Sequence, residues 1–200
     1  MDFKERVCNE LISCAAIYKS IFIDYDYLIY SSDFTKESYY IISAYEENYA
    51  HLTGVHSLIS ARDFYLRCLN GTVRESDFDF IDMHKDEKSV KGTVRRKLKS
   101  LAELPNLFSQ NLKAEECFSK GRVYCVIATA NNQITIGFVK TENILPKTLL
   151  KGNCLNQTKA VDVSLVLRRN RCSDKFDTII QGDIETFCPL FPDIYLCEYL

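Results

Sequence analysis

The chain has 200 residues, of which 46% are hydrophobic and 26% are charged, and its formal net charge is −2. These proportions are typical of a folded protein and exclude a disordered or fibrous chain. No hydrophobic run approaches the roughly 20 residues that span a bilayer, and residues 1–6 do not resemble a signal peptide. We therefore expect a protein that stays in the cytoplasm and does not bind a membrane.

Nine cysteines are present, and no two of them form a C-x-x-C pair, which argues against a zinc knuckle or a thioredoxin-like site. The sequence contains no phosphate-binding loop, dinucleotide fingerprint, serine-hydrolase elbow or zinc-protease motif. We expect free thiols in a reducing compartment and predict neither a metal site nor a cofactor.

The predicted elements of the first half are mostly helical. Apolar residues at helical spacing follow Asp2, which indicates a capped helix up to about residue 19. Segments 25–30 and 39–45 are rich in Tyr and Ile and predict two strands of a hairpin or a meander. Segment 46–54 returns to helix, a further helix is expected over 60–70, and 72–81 reads as a turn or a short acidic helix.

The second half begins with a helix over 87–103, because Val94, Leu98 and Leu101 form an apolar stripe before Pro105. Strands are then predicted over 122–130 and 133–140, and over 160–169 and 175–181. The fold class is α+β, with N-terminal helices and a short hairpin before a mostly antiparallel sheet. We expect one domain over 1–200, divided into a helical and hairpin part (1–120) and a sheet part (121–200).

Charge is uneven along the chain, with a net −7 in residues 1–90 and +5 in residues 91–200. The basic part includes an acid-free stretch, 91–99, whose cations are Lys91, Arg95, Arg96, Lys97 and Lys99. Such a helix can follow a phosphate backbone, although it is also compatible with an ordinary solvated helix face. Three arginines, Arg168, Arg169 and Arg171, lie at the tip of the last predicted hairpin. If that tip approaches the basic helix, the two groups form a cleft that prefers anions.

Three histidines, His51, His56 and His84, are the side chains best matched to proton transfer at neutral pH. The spacing of His51 and His56 does not place them on one helical face. By pattern alone, His51 is compatible with a capping or core role as well as with catalysis.

The segment Tyr49-Ala50-His51-Leu52-Thr53-Gly54, with Phe64-Tyr65 and the later basic helix before a C-terminal sheet, resembles a known family. It is similar to the phage-associated barnase–EndoU–colicin–RelE-like (BECR) nuclease domains of the fourth group. Lys97 stands where that pattern leads us to expect Arg, so that Arg96 is an alternative counterpart. The order of elements matches over roughly residues 5–185.

The resemblance implies a metal-independent ribonuclease domain of a phage or mobile element, acting in a bacterial cell. His51 would then be the general acid or base, and Arg96 or Lys97 with Arg168 would stabilise the charge on phosphorus. Tyr65 or Tyr124 would orient a phosphate or stack on a base. The predicted RNA-binding residues are Tyr65, Lys91, Arg95, Lys99, Tyr124, Arg169 and Arg171.

Two functions remain open at this stage. One is an endoribonuclease that attacks through the 2′-hydroxyl and serves as a toxin, an abortive-infection effector or a counter-defence factor, with RNA and an antitoxin protein as expected partners. The other is a non-catalytic, anti-CRISPR-like inhibitor that binds an RNA or a CRISPR nucleoprotein, because fold alone does not fix activity. The sequence does not select an oligomeric state.

Overall fold

The computed structural model describes residues 2–108, 112–187, 191, 194 and 196. Its α-helices are α1 (Phe3–Tyr18), α2 (Glu46–Thr53), α3 (Ala61–Leu69), α4 (Glu87–Ala102) and α5 (Ile184–Phe187). Its strands are β1 (Tyr25–Tyr30), β2 (Tyr40–Ile42), β3 (His56–Ser57), β4 (Phe78–Asp79), β5 (Lys113–Glu116), β6 (Ser119–Lys120), β7 (Val123–Tyr124), β8 (Ile127–Ala130), β9 (Ile134–Lys140), β10 (Ile144–Lys151), β11 (Val161–Asp162), β12 (Leu165–Asn170) and β13 (Thr178–Gln181).

Helix α1 begins where its sequence predicts, because the Asp2 carboxylate accepts a hydrogen bond from the backbone N–H of Lys4. A π-helical turn, Lys19–Ile23, extends it toward β1. Helix α4 is capped in the same way, by the Asp86 side chain on the N–H of Ser89. Its buried residues include Val94, Leu98 and Leu101, as the apolar stripe predicts.

A nine-stranded sheet forms the centre of the fold, in the order β11-β5-β8-β9-β10-β2-β1-β12-β13. Its neighbours pair antiparallel except for β10 and β2, which are parallel. The predicted fold class, α+β with a mostly antiparallel sheet, is therefore confirmed. The early hairpin of β1 and β2 lies inside this sheet, between β10 and β12, so the strands before residue 121 and those after it share one sheet.

The main hydrophobic core lies between helices α1–α4 and one face of the sheet. Along β1, Tyr27 and Ile29 join this core, whereas Leu28 and Tyr30 enter a smaller cluster on the opposite face. This alternation follows from the two-residue period of a strand. Helices α2 and α4 both pack against β10 and contact each other.

Several predicted strands differ from those observed. Segment 122–130 contains two strands, because β7 pairs with β6 in a separate ribbon and only β8 pairs with β9. Segment 160–169 also contains two strands, β11 and β12, which occupy different places in the nine-stranded sheet. Of the strands in this sheet, β5 and β10 were not predicted. No helix among the described residues is long and apolar enough to cross a membrane.

Candidate active site

His51 lies on the outer face of α2, in the last turn of the helix. The residues around it point inward: Tyr49 is buried and donates its hydroxyl to the Leu11 carbonyl (2.6 Å), and Leu52 and Thr53 are fully buried. His51 is exposed. Gly54 ends the helix with a φ of +77°, a left-handed conformation that glycine adopts without strain. Tyr49, Leu52, Thr53 and Gly54 of the predicted motif therefore have structural roles, whereas His51 is exposed to solvent.

Lys97 joins the basic helix α4 to this motif. Its Nζ donates a hydrogen bond to the backbone carbonyl of His51 (2.8 Å), which is one of the carbonyls that a helix leaves unpaired at its C-terminal end. The side chain crosses Gly54 so closely that an added Cβ there would lie 2.7 Å from Lys97 Cδ. Only a glycine leaves room for this path.

Lys147 approaches His51 from the sheet. In the pairing of β10 with β9, Pro146 faces Phe138 and Thr148 faces Gly137, so Lys147 is the extra residue of a β-bulge. A bulged residue is released from the ladder. The His51 ring donates a hydrogen bond to the Lys147 carbonyl, and the Lys147 side chain is exposed beside it.

The electrostatics favour a neutral imidazole next to cations. Crowding on the side of α4 and β10 removes part of the hydration of the His51 ring, which lowers its pKa to about 4. The charges of Lys97 and Lys147 lower it further, and together these effects exceed the opposing effect of the hydrogen bond to the Lys147 carbonyl. Burial also lowers the pKa of Lys97 to about 8, with a smaller contribution from Lys85.

A groove with a volume of about 260 Å³ adjoins Lys97, between α4 and the end of β10. We call it the basic groove. Its polar and charged lining includes Thr93, Arg96, Lys97, Ser100, Lys120 and Lys151. Arg96 donates to the Thr93 hydroxyl (3.2 Å) and is otherwise exposed. The predicted pair Arg96 and Lys97 therefore shares one face of α4.

Arg168 is not brought to this site. It lies on β12, which is separated from β10 by β2 and β1, a distance of about 14 Å at ordinary strand spacing. Its guanidinium stacks over the ring of Tyr25 (4.3 Å) and interacts with the Tyr27 hydroxyl. The predicted convergence of the last hairpin with the basic helix is absent from the described part of the chain.

Arg169 and Arg171, predicted to bind RNA, make contacts within the fold. Both contact the buried carboxylate of Asp26, each at 3.2 Å. Arg171 also donates to the carbonyls of Ala44 and Phe22. These bonds tie the end of β12 to the segment that leads into α2.

The two predicted tyrosines differ in exposure. Tyr65 is buried in a cluster with Tyr18 and Tyr49, so it has no free face on which a base could stack. Tyr124 is 74% exposed, on the β6–β7 ribbon. It pairs with Ser119 and therefore lies on the opposite face of that ribbon from Lys120, which lines the basic groove.

The remaining predicted cations divide between two other faces of α4. Lys91 pairs with Glu87 (2.6 Å), and both Lys91 and Arg95 lie over the ring of Phe3. Lys99 is exposed and lines a second groove near the end of α4. The nine-residue basic stretch is thus not one continuous surface.

The other two histidines lie elsewhere. His56 pairs with Asp79 (2.9 Å) where β3 meets β4, and His84 is exposed in a turn. Within the residues that the structure describes, no group of three or more His, Cys, Asp and Glu side chains could hold a metal ion.

Sequence reasoning missed Lys120, Lys147 and Lys151, because each is an isolated lysine outside any charged run. The signal that was available is Pro146. A proline inside a strand-like segment marks an edge or a bulge, and it precedes Lys147 directly.

The chain was compared with known proteins. The family described as phage-Barnase-EndoU-ColicinE5/D-RelE like nuclease 4 matches residues 10–184. No curated protein sequence and no solved structure gives a significant match. The family match includes His51, the whole of α4 and strands β1–β13, and it agrees with the resemblance carried by the His-Leu-Thr-Gly motif. The chain therefore belongs to the phage-associated BECR-like nuclease family of the fourth group.

Proposed function

We propose that the protein is a metal-independent endoribonuclease that cleaves RNA by attack of the 2′-hydroxyl on the adjacent phosphorus. The observation that carries this proposal is that Lys97 donates a hydrogen bond to the backbone carbonyl of His51 (2.8 Å), so that a basic helix meets an exposed imidazole whose pKa is lowered to about 4. Membership of a nuclease family supports the general activity, and these side chains supply the chemistry.

His51 acts as the general base in this proposal. One ring N–H faces the Lys147 carbonyl, and the other ring nitrogen, which has no hydrogen-bond donor among the described residues, acts as the acceptor. With a pKa of about 4 this nitrogen is unprotonated at neutral pH. It removes the proton of the 2′-hydroxyl as the new P–O2′ bond forms.

The cations act on the charge that develops at phosphorus. Arg96, Lys97 and Lys147 form no ion pair with any described carboxylate, so their charge is available to an incoming phosphate. Lys97 has a pKa of about 8, which suits proton donation to the leaving 5′-oxygen as the P–O5′ bond breaks. The products are a 2′,3′-cyclic phosphate and a 5′-hydroxyl.

The test is cleavage of single-stranded RNA in buffer containing EDTA, with the ends of the fragments identified by mass spectrometry. We expect cyclic phosphate ends from the wild-type protein, and a loss of at least about 100-fold in rate for His51→Ala. His56→Ala is the matched control, because it removes an exposed histidine outside this site and should retain the rate.

The alternative is a non-catalytic protein that binds an RNA or a nucleoprotein. It predicts stable association without turnover, unchanged by His51→Ala and lost on charge reversal of Arg95 and Arg96. Since Arg95 and Arg96 lie on different faces of α4, reversing them one at a time identifies the face that binds. If charge reversal of Arg95 abolishes binding and charge reversal of Arg96 does not, the non-catalytic alternative is favoured over the nuclease.

A further inference from the structure

The basic groove is continuous with the proposed cleavage site through one side chain. Lys97 contacts the His51 carbonyl with its ammonium group and also lines the groove. The groove therefore begins beside the residue that contacts His51.

The charge of the groove is unbalanced. Arg96, Lys97, Lys120 and Lys151 line it, and no aspartate or glutamate does so among the described residues. None of these four cations forms an ion pair within the same part of the chain. Like charges held together without counter-charges concentrate anions at that place.

The groove also continues along α4. It shares Ser100 and Lys151 with a second groove of about 370 Å³, which extends to Glu103 and Gln133 and includes Lys99. The two follow α4 from Thr93 to Glu103, which is about 15 Å of helix. This length exceeds what one phosphodiester needs.

We propose that this path binds the sugar-phosphate backbone of single-stranded RNA beside the cleaved bond, with Arg96, Lys120 and Lys151 as additional phosphate-binding residues. The substrate class is thus a single-stranded oligonucleotide, rather than a dinucleotide or a continuous duplex. A duplex presents its phosphates on a broad convex surface, whereas a single strand can enter a narrow groove. The position of the cleaved bond at His51 rests on the function proposed above.

Binding is measured by fluorescence anisotropy with a short single-stranded RNA whose 2′-hydroxyls are methylated, so that turnover plays no part. Lys120→Glu/Lys151→Glu should weaken binding at least about tenfold and reduce the salt dependence of log Kd by roughly 0.7 for each lost contact. Lys36→Glu/Lys159→Glu carries the same change of charge at exposed positions outside both grooves and should bind as the wild type does. Lys120→Gln/Lys151→Gln removes the positive charges without adding negative ones. Circular dichroism of each variant shows whether weaker binding comes from misfolding.

Three outcomes separate this proposal from the nuclease proposal. The groove proposal is supported if Lys120→Glu/Lys151→Glu weakens RNA binding and the control variant does not. It also requires that duplex RNA of the same sequence and a dinucleotide bind the wild-type protein at least about tenfold more weakly than the single strand does. If binding depends on the groove lysines but unmethylated RNA is not cleaved, the RNA-binding proposal is supported and the nuclease proposal is contradicted. If both variants weaken RNA binding equally, or if duplex RNA binds more tightly than the single strand, the proposal that this groove binds single-stranded RNA is overturned, even if cleavage occurs.

Discussion

The ammonium group of Lys97 donates a 2.8 Å hydrogen bond to the backbone carbonyl of His51. This bond links the motif after the first hairpin to a helix that begins 36 residues later in the sequence. It satisfies a helix C-terminal carbonyl with a cation, which the helix dipole also favours. The position of the imidazole and the position of the basic helix are therefore set together.

Gly54→Ala should destabilise the protein by about 2 kcal/mol, from the left-handed backbone conformation and from the contact with Lys97. Because Lys97 must move, RNA cleavage should also fall. Urea unfolding measures the change in the free energy of unfolding, and an RNA cleavage assay measures the change in rate.

Gly71→Ala is the matched control. Gly71 follows α3 with a φ of +68° and has no heavy atom within 4 Å of an added Cβ, so only the backbone strain of about 1 kcal/mol remains. An equal loss of stability for both variants, with cleavage retained in both, would contradict the role of the Lys97 contact.

Lys97→Met should abolish cleavage without lowering stability at neutral pH. The pKa of Lys97 is lowered from 10.5 to about 8, so the unfolded chain binds more protons than the folded chain between these values. The free energy of unfolding of the wild type should therefore rise relative to that of the methionine variant as the pH increases from about 8 to 10.5. Chemical denaturation of both proteins at several pH values measures this difference in the free energy of unfolding. A difference that falls as the pH rises would contradict the lowered pKa of Lys97.

The pH dependence of kcat/KM should be a broad plateau. His51 must be neutral to accept a proton, so activity rises as the pH increases through about 4. Lys97 must be protonated, so activity falls as the pH increases through about 8. A profile in which activity falls as the pH rises through 4 would assign His51 as the acid instead.

Arg171→Gln should destabilise the protein by about 2 kcal/mol, because it removes bonds to Ala44, Phe22 and the buried Asp26 carboxylate. The salt dependence of RNA binding should remain unchanged. A variant of wild-type stability with a reduced salt slope would restore the RNA-binding role predicted for this arginine.

Much of the fold could be predicted because it depends on local patterns. The Asp2 cap of α1 and the apolar stripe of α4 each specify an element from neighbouring residues alone. The hairpin of β1 and β2 was predicted for the same reason, and its pairing is confirmed.

The rest depends on contacts between distant segments. Strand β10 contains Pro146 and Lys147, which interrupt its apolar alternation, and the bulge at Lys147 is created only by the pairing with β9. The three arginines near the end of β12 have an ordinary surface pattern, yet Asp26, far away in sequence, engages two of them. Tyr65 gives no local sign that it belongs to the core.

Incubation of the wild-type protein and His51→Ala with single-stranded RNA in EDTA tests the central claim most directly. We predict fragments with 2′,3′-cyclic phosphate ends from the wild type and intact RNA from the variant. Equal cleavage by both proteins, or intact RNA with both, would contradict the assignment of His51 as the base of a metal-independent ribonuclease.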